Sequence, residues 1–285
     1  MKVAVIGANG QLGSDIVEYF SDKCTVTSLN HSDIEITDFE NSKEVLTGFN
    51  PDIVINTAAY HVVPKCEEEP LQAFAINGNG PLNLAKLSET LGFKLAHFST
   101  DYVFDGAKGK PYVETDCPNP LNVYAQTKLD GENLIRNYCD THFVIRVAGI
   151  YGKTPCRAKG GNFIDTMRKA AASRQIVKVV NDEVLTPTPT TEIARNTYEL
   201  LQTDAYGLYH MTSQQEVSWY EFAKVIFREL GLTTPLESCT VDDFPSPVKR
   251  PTYSALENNN LKKINLDLMS HWEKALINYL KQSSN

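Results

Sequence analysis

The segment Gly7-Ala8-Asn9-Gly10-Gln11-Leu12-Gly13 constrains this chain more than any other. It follows directly on the apolar run Val3-Ala4-Val5-Ile6 and opens a helical pattern. A strand, a glycine turn and a helix in that order need glycine for separate reasons. Gly7, Gly10 and Gly13 between them must make a tight turn, let the backbone approach a pyrophosphate and let the helix pack on the strand. The start of the helix then offers unpaired N–H groups to an anion. The segment is therefore expected to bind a nicotinamide dinucleotide. The second apolar run ends at Leu29-Asn30-His31, without the acid that selects NADH or the arginine that selects NADPH. NADPH or NADH fits the sequence equally.

The rest of the first half repeats the alternation. Strand patterns at Val3–Ile6, Thr25–Leu29, Ile53–Asn56, Lys94–Ser99 and Phe143–Val147 are separated by helical patterns near Leu12–Phe20, Ser42–Phe49, Leu71–Leu91 and Thr127–Tyr138. Runs such as Ile53-Val54-Ile55 are apolar without alternation, as strands covered on both faces require. The expected fold class is α/β, a Rossmann-type doubly wound parallel sheet with a smaller C-terminal α+β substrate-binding region. Residues 1–150 form the expected dinucleotide-binding domain. Residues 151–285 are mainly the substrate-binding region, with segments near 176–203 returning to the first domain. A strand is expected at Ile176–Val180, and helices from about Thr191 and over Ser218–Leu230.

Bulk properties narrow the function. The chain has 285 residues and a formal net charge of −8, which argues against a nucleic-acid partner. A local basic cluster at Lys153, Arg157 and Lys159 would still meet an anionic substrate. No apolar run approaches the length of a membrane span. Met1 and Lys2 run straight into a strand pattern, so no secretory leader is expected. Six cysteines without paired spacing read as reduced thiols in a cytoplasmic protein, and the histidines show no metal-ligand spacing. No nucleophile elbow suggests a hydrolase. Glu67-Glu68-Glu69 reads as a solvated face at the start of a helix.

Tyr124 and Lys128 lie one helical turn apart on a shared face. A tyrosine there can protonate a carbonyl oxygen as hydride reaches the carbon, and a neighbouring ammonium would lower its pKa toward working pH. The spacing alone is weak, since Tyr19/Lys23 and Tyr220/Lys224 share it. Context favours Tyr124. It follows the strand ending His97-Phe98-Ser99-Thr100-Asp101, and ligands of open α/β sheets bind at strand carboxyl ends. Thr100 supplies a hydroxyl for the same oxygen. Arg250, in a proline-rich stretch, is suited to clasp a diphosphate.

Together these motifs resemble the extended short-chain dehydrogenase/reductase superfamily, and within it the dTDP-4-dehydrorhamnose reductase family. The resemblance rests on Gly7–Gly13, Asn56–Tyr60, Phe98–Gly106, Glu114–Glu132, Val179–Thr188 and Lys249–Leu256. It implies Thr100, Tyr124 and Lys128 as the catalytic set. It implies cofactor contacts at Gly7, Gly10, Gln11, Leu12, Gly13, Asp38, Phe39, Ala58, Ala59, Tyr60, Tyr124 and Lys128. Substrate contacts are implied at Thr100, Asp101, Tyr102, Gly149, Asn162 and Arg250. The implied activity is NAD(P)H-dependent reduction of a 4-keto nucleotide sugar, as in dTDP-L-rhamnose biosynthesis, by a protein free to act as a homodimer. Alternatives are an epimerase or dehydratase of the same superfamily, or a non-catalytic NAD(P)-binding regulatory subunit. Tyr102 after Asp101 supplies no second carboxylate for dehydration. Two positions depart from the family pattern. Pro64 replaces an acid, and Gly149 stands where a tryptophan is common, so a roomier or differently shaped sugar pocket is expected.

Overall fold

The computed structural model describes residues 1–156 and 160–282. The first half runs β1 (Lys2–Ile6), α1 (Gln11–Ser21), β2 (Thr25–Leu29), α2 (Phe39–Phe49), β3 (Ile53–Asn56), α3 (Val63–Glu68), α4 (Pro70–Phe74), a π-helical turn (Ala75–Asn79), α5 (Gly80–Leu91), β4 (Lys94–Thr100), a 3₁₀ turn (Asp101–Val103), α6 (Val123–Tyr138) and β5 (His142–Val147). The second half runs β6 (Ile150–Tyr151), α7 (Phe163–Ser173), β7 (Val177–Val180), β8 (Val184–Leu185), β9 (Thr188–Pro189), α8 (Thr190–Leu201), β10 (Gly207–His210), β11 (Val217–Ser218), α9 (Trp219–Leu230), β12 (Leu236–Cys239), a 3₁₀ turn (Val241–Asp243), α10 (Asn259–Lys263) and α11 (Trp272–Gln282).

Six parallel strands form the main sheet in the order β10-β5-β4-β3-β1-β2. The chain steps outward from β1 to β2, then returns to β3 on the other side of β1. That reversal opens a crevice at the carboxyl ends of β1 and β3. The inner strands β1, β3, β4 and β5 are buried on both faces because successive side chains serve different layers. Val3 and Val5 pack with Leu12, Ile16 and Phe20 of α1 and Ile193 of α8. Ala4 and Ile6 pack on the other side with Leu46, Leu84, Leu87 and Ile135 of α2, α5 and α6. Burial of each large aliphatic side chain contributes about 1.5–3 kcal/mol, before the cost of ordering the chain.

A third cluster, holding Ile164, Met167, Val177, Val179, Phe222, Ile226, Trp272 and Leu276, forms the core of the smaller region. Within residues 176–203, α8 packs on α1, whereas β7 pairs with β12 inside the smaller region. Beyond that segment, β10 completes the edge of the main sheet next to β5.

Three local expectations are corrected. The single helix over Leu71–Leu91 is broken into α4, the π-helical turn and α5. Pro81 has no N–H for the regular ladder, and Gly78 and Gly80 give the backbone latitude for the wider turn. The triplet Glu67-Glu68-Glu69 does not open a helix as one block. Glu67 and Glu68 end α3, while Glu69 stands at its junction with α4. Instead, Glu67 accepts from the Val123 backbone N–H at 2.8 Å and satisfies a donor at the start of α6. Finally, α6 begins at Val123 rather than Thr127 because Asn122 caps it, its side chain accepting from Ala125 N–H. Tyr124 therefore lies within the first turn.

Candidate active site

The glycine turn assembles at the β1–β3 crevice. Gly7 takes φ +77°, and its N–H donates to the Leu29 carbonyl at 2.9 Å. A Cβ on Gly13 would stand 2.2 Å from the Gly7 carbonyl oxygen, so glycine is required for α1 to reach β1. A Cβ on Gly10 would meet only that same oxygen, at 3.2 Å. Gly10 ends the turn at the N-cap of α1, where no side chain caps the helix. Nearby, the Gln11 Nε2 donor is buried and has no hydrogen-bond partner among the described residues. Unpaired donors at a helix start suit the pyrophosphate of a dinucleotide. Leu12 sends its side chain into the core, so only its backbone remains for a ligand. Asp38 caps α2 through Asn41 N–H at 3.0 Å, and Phe39 packs on the second core cluster.

On the far side of the crevice, the loop after β3 carries Ala58, Ala59 and Tyr60, all partly exposed. Asn77 of the π-helical turn fixes that loop. Its Oδ1 accepts from Tyr60 N–H at 2.8 Å, and its Nδ2 donates to the Tyr60 carbonyl at 2.9 Å and to Thr127 Oγ1 at 3.0 Å. The Tyr60 hydroxyl bonds to Glu69, whose carboxylate pushes that phenol up to about 12. Pro64 occupies the first turn of α3, where a missing N–H is harmless.

Thr100 ends β4 and caps the short 3₁₀ turn, accepting from Tyr102 N–H at 3.2 Å. Its hydroxyl donates to Asp101 Oδ1 at 3.0 Å and acts to lower the pKa of the Tyr124 phenol. Asp101 is buried and accepts from Ser254 Oγ at 2.5 Å, with burial raising its pKa to about 6. Tyr102 meets the Tyr124 ring edge-on at 6.2 Å. The exposed Arg250 brings positive charge to Tyr102 and to Glu183, a half-buried acid at the same end. Thr100, Asp101, Tyr102, Tyr124 and Arg250 thus converge from β4, α6 and the C-terminal segment.

One expectation is reversed here. Burial pushes the Tyr124 phenol above its ordinary pKa, with Thr100 opposing and Asp101 and Cys66 adding to the rise. Lys128 is not among the groups that lower it, and its Nζ lies instead 3.0 Å from His97 Nε2. Lys128 is fully buried, and desolvation lowers its pKa to about 8 despite the nearby Glu132 charge. The two other Tyr–Lys pairs are different objects. Lys23 lies over the Tyr19 ring at 4.0 Å and Lys224 over the Tyr220 ring at 5.7 Å, both as surface cation–π contacts.

The space beside Gly149 is filled. Gly149 takes φ +49°, and a Cβ there would meet Leu185 Cδ1 at 2.7 Å, with Trp219 Cη2 at 3.5 Å. Side chains from β8 and α9 therefore crowd the position a Cβ at Gly149 would take. Asn162 is engaged in capping α7, with Asp165 N–H donating to its Oδ1 at 3.1 Å and its own Nδ2 reaching the Gly152 carbonyl at 3.3 Å. Of the basic cluster, Lys153 pairs with Glu18 at 3.0 Å, while Arg157 and Lys159 lie outside the described residues.

Beneath the Tyr–Lys pair lies a buried polar layer that spacing arguments miss. Asn56, His97, Ser99, Glu132 and Arg146 are all at most 3% exposed. Ser99 donates to Glu132, which receives Arg146 Nε and Nη2 at 2.9 Å and 2.6 Å. A signal was present in the sequence: each of these strand residues interrupts an apolar run, and Glu132 lies one further turn along the face of Tyr124 and Lys128. Among the described residues, no cluster of His, Cys, Asp and Glu could hold a metal ion, and no helix is long and apolar enough to cross a membrane.

Comparison with known proteins agrees with this geometry. The RmlD substrate binding domain model matches residues 1–285. The spore coat polysaccharide biosynthesis protein SpsK of Bacillus subtilis is 35% identical over 99% of this chain and 98% of its own. A dTDP-4-dehydrorhamnose reductase structure from Clostridium acetobutylicum superposes with a TM-score of 0.96 at 37% identity, covering 100% of both chains. One from Bacillus anthracis, in complex with NADP, superposes with a TM-score of 0.94 at 31% identity over 99% of each chain. The chain belongs to the RmlD substrate-binding-domain family of the extended short-chain dehydrogenase/reductases.

Proposed function

We propose that this protein is an NADPH- or NADH-dependent reductase of a 4-keto nucleotide sugar, with dTDP-4-dehydrorhamnose the first substrate to test. The observation that carries the reading is the meeting of the Thr100-Asp101-Tyr102 turn, at the carboxyl end of β4, with Tyr124 at the start of α6, the Tyr102 and Tyr124 rings 6.2 Å apart and Lys128 one turn on. Bound NADPH or NADH supplies hydride to the carbonyl carbon. Gly10 and the start of α1 receive the pyrophosphate, with Gly7, Gln11, Leu12 and Gly13 shaping that end. Asp38 and Phe39 border the adenine side, and Ala58, Ala59 and Tyr60 the nicotinamide side. Thr100 holds the carbonyl oxygen, and Tyr124 transfers its phenolic proton to it, leaving an alcohol. The tyrosinate is then stabilised by Thr100 and by Lys128 once that side chain is charged and turned toward the cofactor ribose.

Asp101, Tyr102 and Arg250 border the sugar nucleotide. Gly149 bounds the pocket through Leu185 and Trp219, and Asn162 shapes it by capping α7. A homodimer in the cytoplasm, with a nucleotide sugar as the small-molecule partner, completes the reading. The name of the relatives supports the nucleotide-sugar partner, and the cysteine pattern supports the compartment. The test is oxidation of NADPH and NADH over a panel of 4-keto nucleotide sugars. Turnover of dTDP-4-dehydrorhamnose is expected. A protein that binds cofactor yet turns over no member of the panel would contradict the reading.

A further inference from the structure

Three side chains from three elements make a buried line beneath the reactive pair. Asn56 ends β3, His97 stands directly beside it on β4, and Lys128 reaches them from α6. Ala58 N–H donates to Asn56 Oδ1 at 3.0 Å. Asn56 Nδ2 lies 3.1 Å from His97 Nδ1, and His97 Nε2 lies 3.0 Å from Lys128 Nζ.

The donors and acceptors of this line cannot be chosen freely. With Oδ1 occupied by Ala58, the Asn56 amide presents its nitrogen to His97, and that nitrogen only donates. His97 Nδ1 must therefore accept. The ring is fully buried, and burial holds it neutral, so it carries one proton. That proton sits on Nε2 and points at Lys128 Nζ. An ammonium has no lone pair to receive it, whereas an amine does.

We propose that His97, backed by Asn56, is a positioning residue that favours the free-amine form of Lys128 over the ammonium in the cofactor-free protein. Charging Lys128 then requires two coupled changes. A proton from solvent goes to Nζ, and the His97 proton leaves Nε2 while another joins Nδ1. Nζ–H now donates to Nε2, and Nδ1–H needs an acceptor, so the Asn56 amide turns over and Ala58 N–H loses its partner. Ala58 belongs to the loop beside the cofactor crevice, so the charge on Lys128 is tied to the state of that loop.

Other groups around Lys128 do not replace this link. Glu132 favours the ammonium but is itself paired with Arg146 from β5. Asp101 and Cys66, on the 3₁₀ turn and α3, act on Tyr124, one turn back, and Tyr102 stands edge-on to that ring. Lys86 and Glu89 of α5 lie toward Tyr138 and Asp140 at the far end. The π-helical turn and α4 bring no charged side chain.

This proposal rests on the proposed role of Lys128, but its first test needs no substrate. The full chain, with labelled histidines and no cofactor, is titrated by NMR from about pH 6 to about pH 10, spanning the lowered lysine pKa. His97 is assigned as the signal missing in His97→Gln. The expected result is a neutral ring throughout, protonated on Nε2 at high pH and on Nδ1 at low pH. Asn56→Leu should abolish the preference for Nε2–H at high pH. One unchanging tautomer, or an imidazolium, overturns the proposal whether or not the protein is a reductase. Where turnover is found, His97→Gln gives a second readout. Reduction needs the charged lysine, so the rate falls as pH rises through the Lys128 pKa. A glutamine oxygen accepts from the ammonium and should move that fall upward by about one pH unit, tenfold in proton affinity. A merely structural histidine would lower stability without moving it, and that result also overturns the proposal.

Discussion

Three glycines in one turn do three different jobs, and single substitutions should separate them. Gly13→Ala places a methyl 2.2 Å from a backbone oxygen, so it should destabilise the fold by about 1–3 kcal/mol or more, read as a lower denaturation midpoint. Gly10→Val meets only a 3.2 Å contact, so the protein should stay folded with a modest loss. Its side chain would instead fill the approach to the helix start, and calorimetry should show NADPH binding abolished. Binding equal to that of the parent would refute the assignment of this turn to the pyrophosphate. The turn and the Tyr124–Lys128 pair were legible because their information is local: glycine spacing in one case, a four-residue step in the other. The Asn56–His97–Lys128 line was not, because its members are 41 and 31 residues apart and meet only through strand register. The direction of the Tyr124 pKa was misjudged for the same reason. Residue spacing puts the lysine on the right face of α6, but burial and a distant histidine decide where its nitrogen points.

At the scale of elements, the register of α6 sets the chemistry. Asn122 fixes its first turn, and Gly131 fixes how closely it lies against the π-helical turn. A Cβ on Gly131 would stand 2.3 Å from the Asn77 carbonyl oxygen. Asn77 in turn holds the loop at Tyr60. Gly131→Ala should therefore lower the melting temperature, at a cost of about 1–3 kcal/mol, and also weaken cofactor binding through that loop. Loss of stability with unchanged cofactor affinity would show that the loop is held independently. Sequence periodicity recovered the five strands and most helices of the first half within a few residues, because long apolar runs between turn residues leave little choice. It missed the break at residues 75–79 because a π-helical turn changes the backbone ladder, which apolar periodicity does not report. It missed the short pairs β6–β9 and β8–β11, whose two-residue strands carry no period of their own.

At the scale of the whole molecule, the buried histidines predict how the fold responds to acid. His97 and His210 are kept neutral by burial, with the His210 pKa lowered to about 3. In the unfolded chain both accept protons near their ordinary value of about 6.5. As pH falls below that value the unfolded state binds protons that the folded state refuses, so stability declines until the folded pKa is reached. Asp101 works the other way. Its pKa, raised to about 6, lets the folded state hold a proton that the unfolded chain lacks, which adds stability as pH falls through that window. Asp15, Glu114, Glu183 and Asp267 are raised with Asp101, and His142 is lowered with the two histidines, so the histidine share is read by substitution: His210→Gln should lose less denaturant midpoint than the parent between about pH 7 and about pH 4.5. An equal loss in both proteins would contradict the buried-neutral assignment of His210. The central claim is that this assembly reduces a sugar carbonyl with Tyr124 as the proton donor. The most direct measurement is kcat for dTDP-4-dehydrorhamnose reduction, together with NADPH affinity, in the parent and in Tyr124→Phe. The account predicts near-parental NADPH affinity and a fall in kcat on the order of 10²–10⁴-fold, the worth of a general acid, while Tyr19→Phe and Tyr220→Phe stay close to the parent. Full activity in Tyr124→Phe would contradict it.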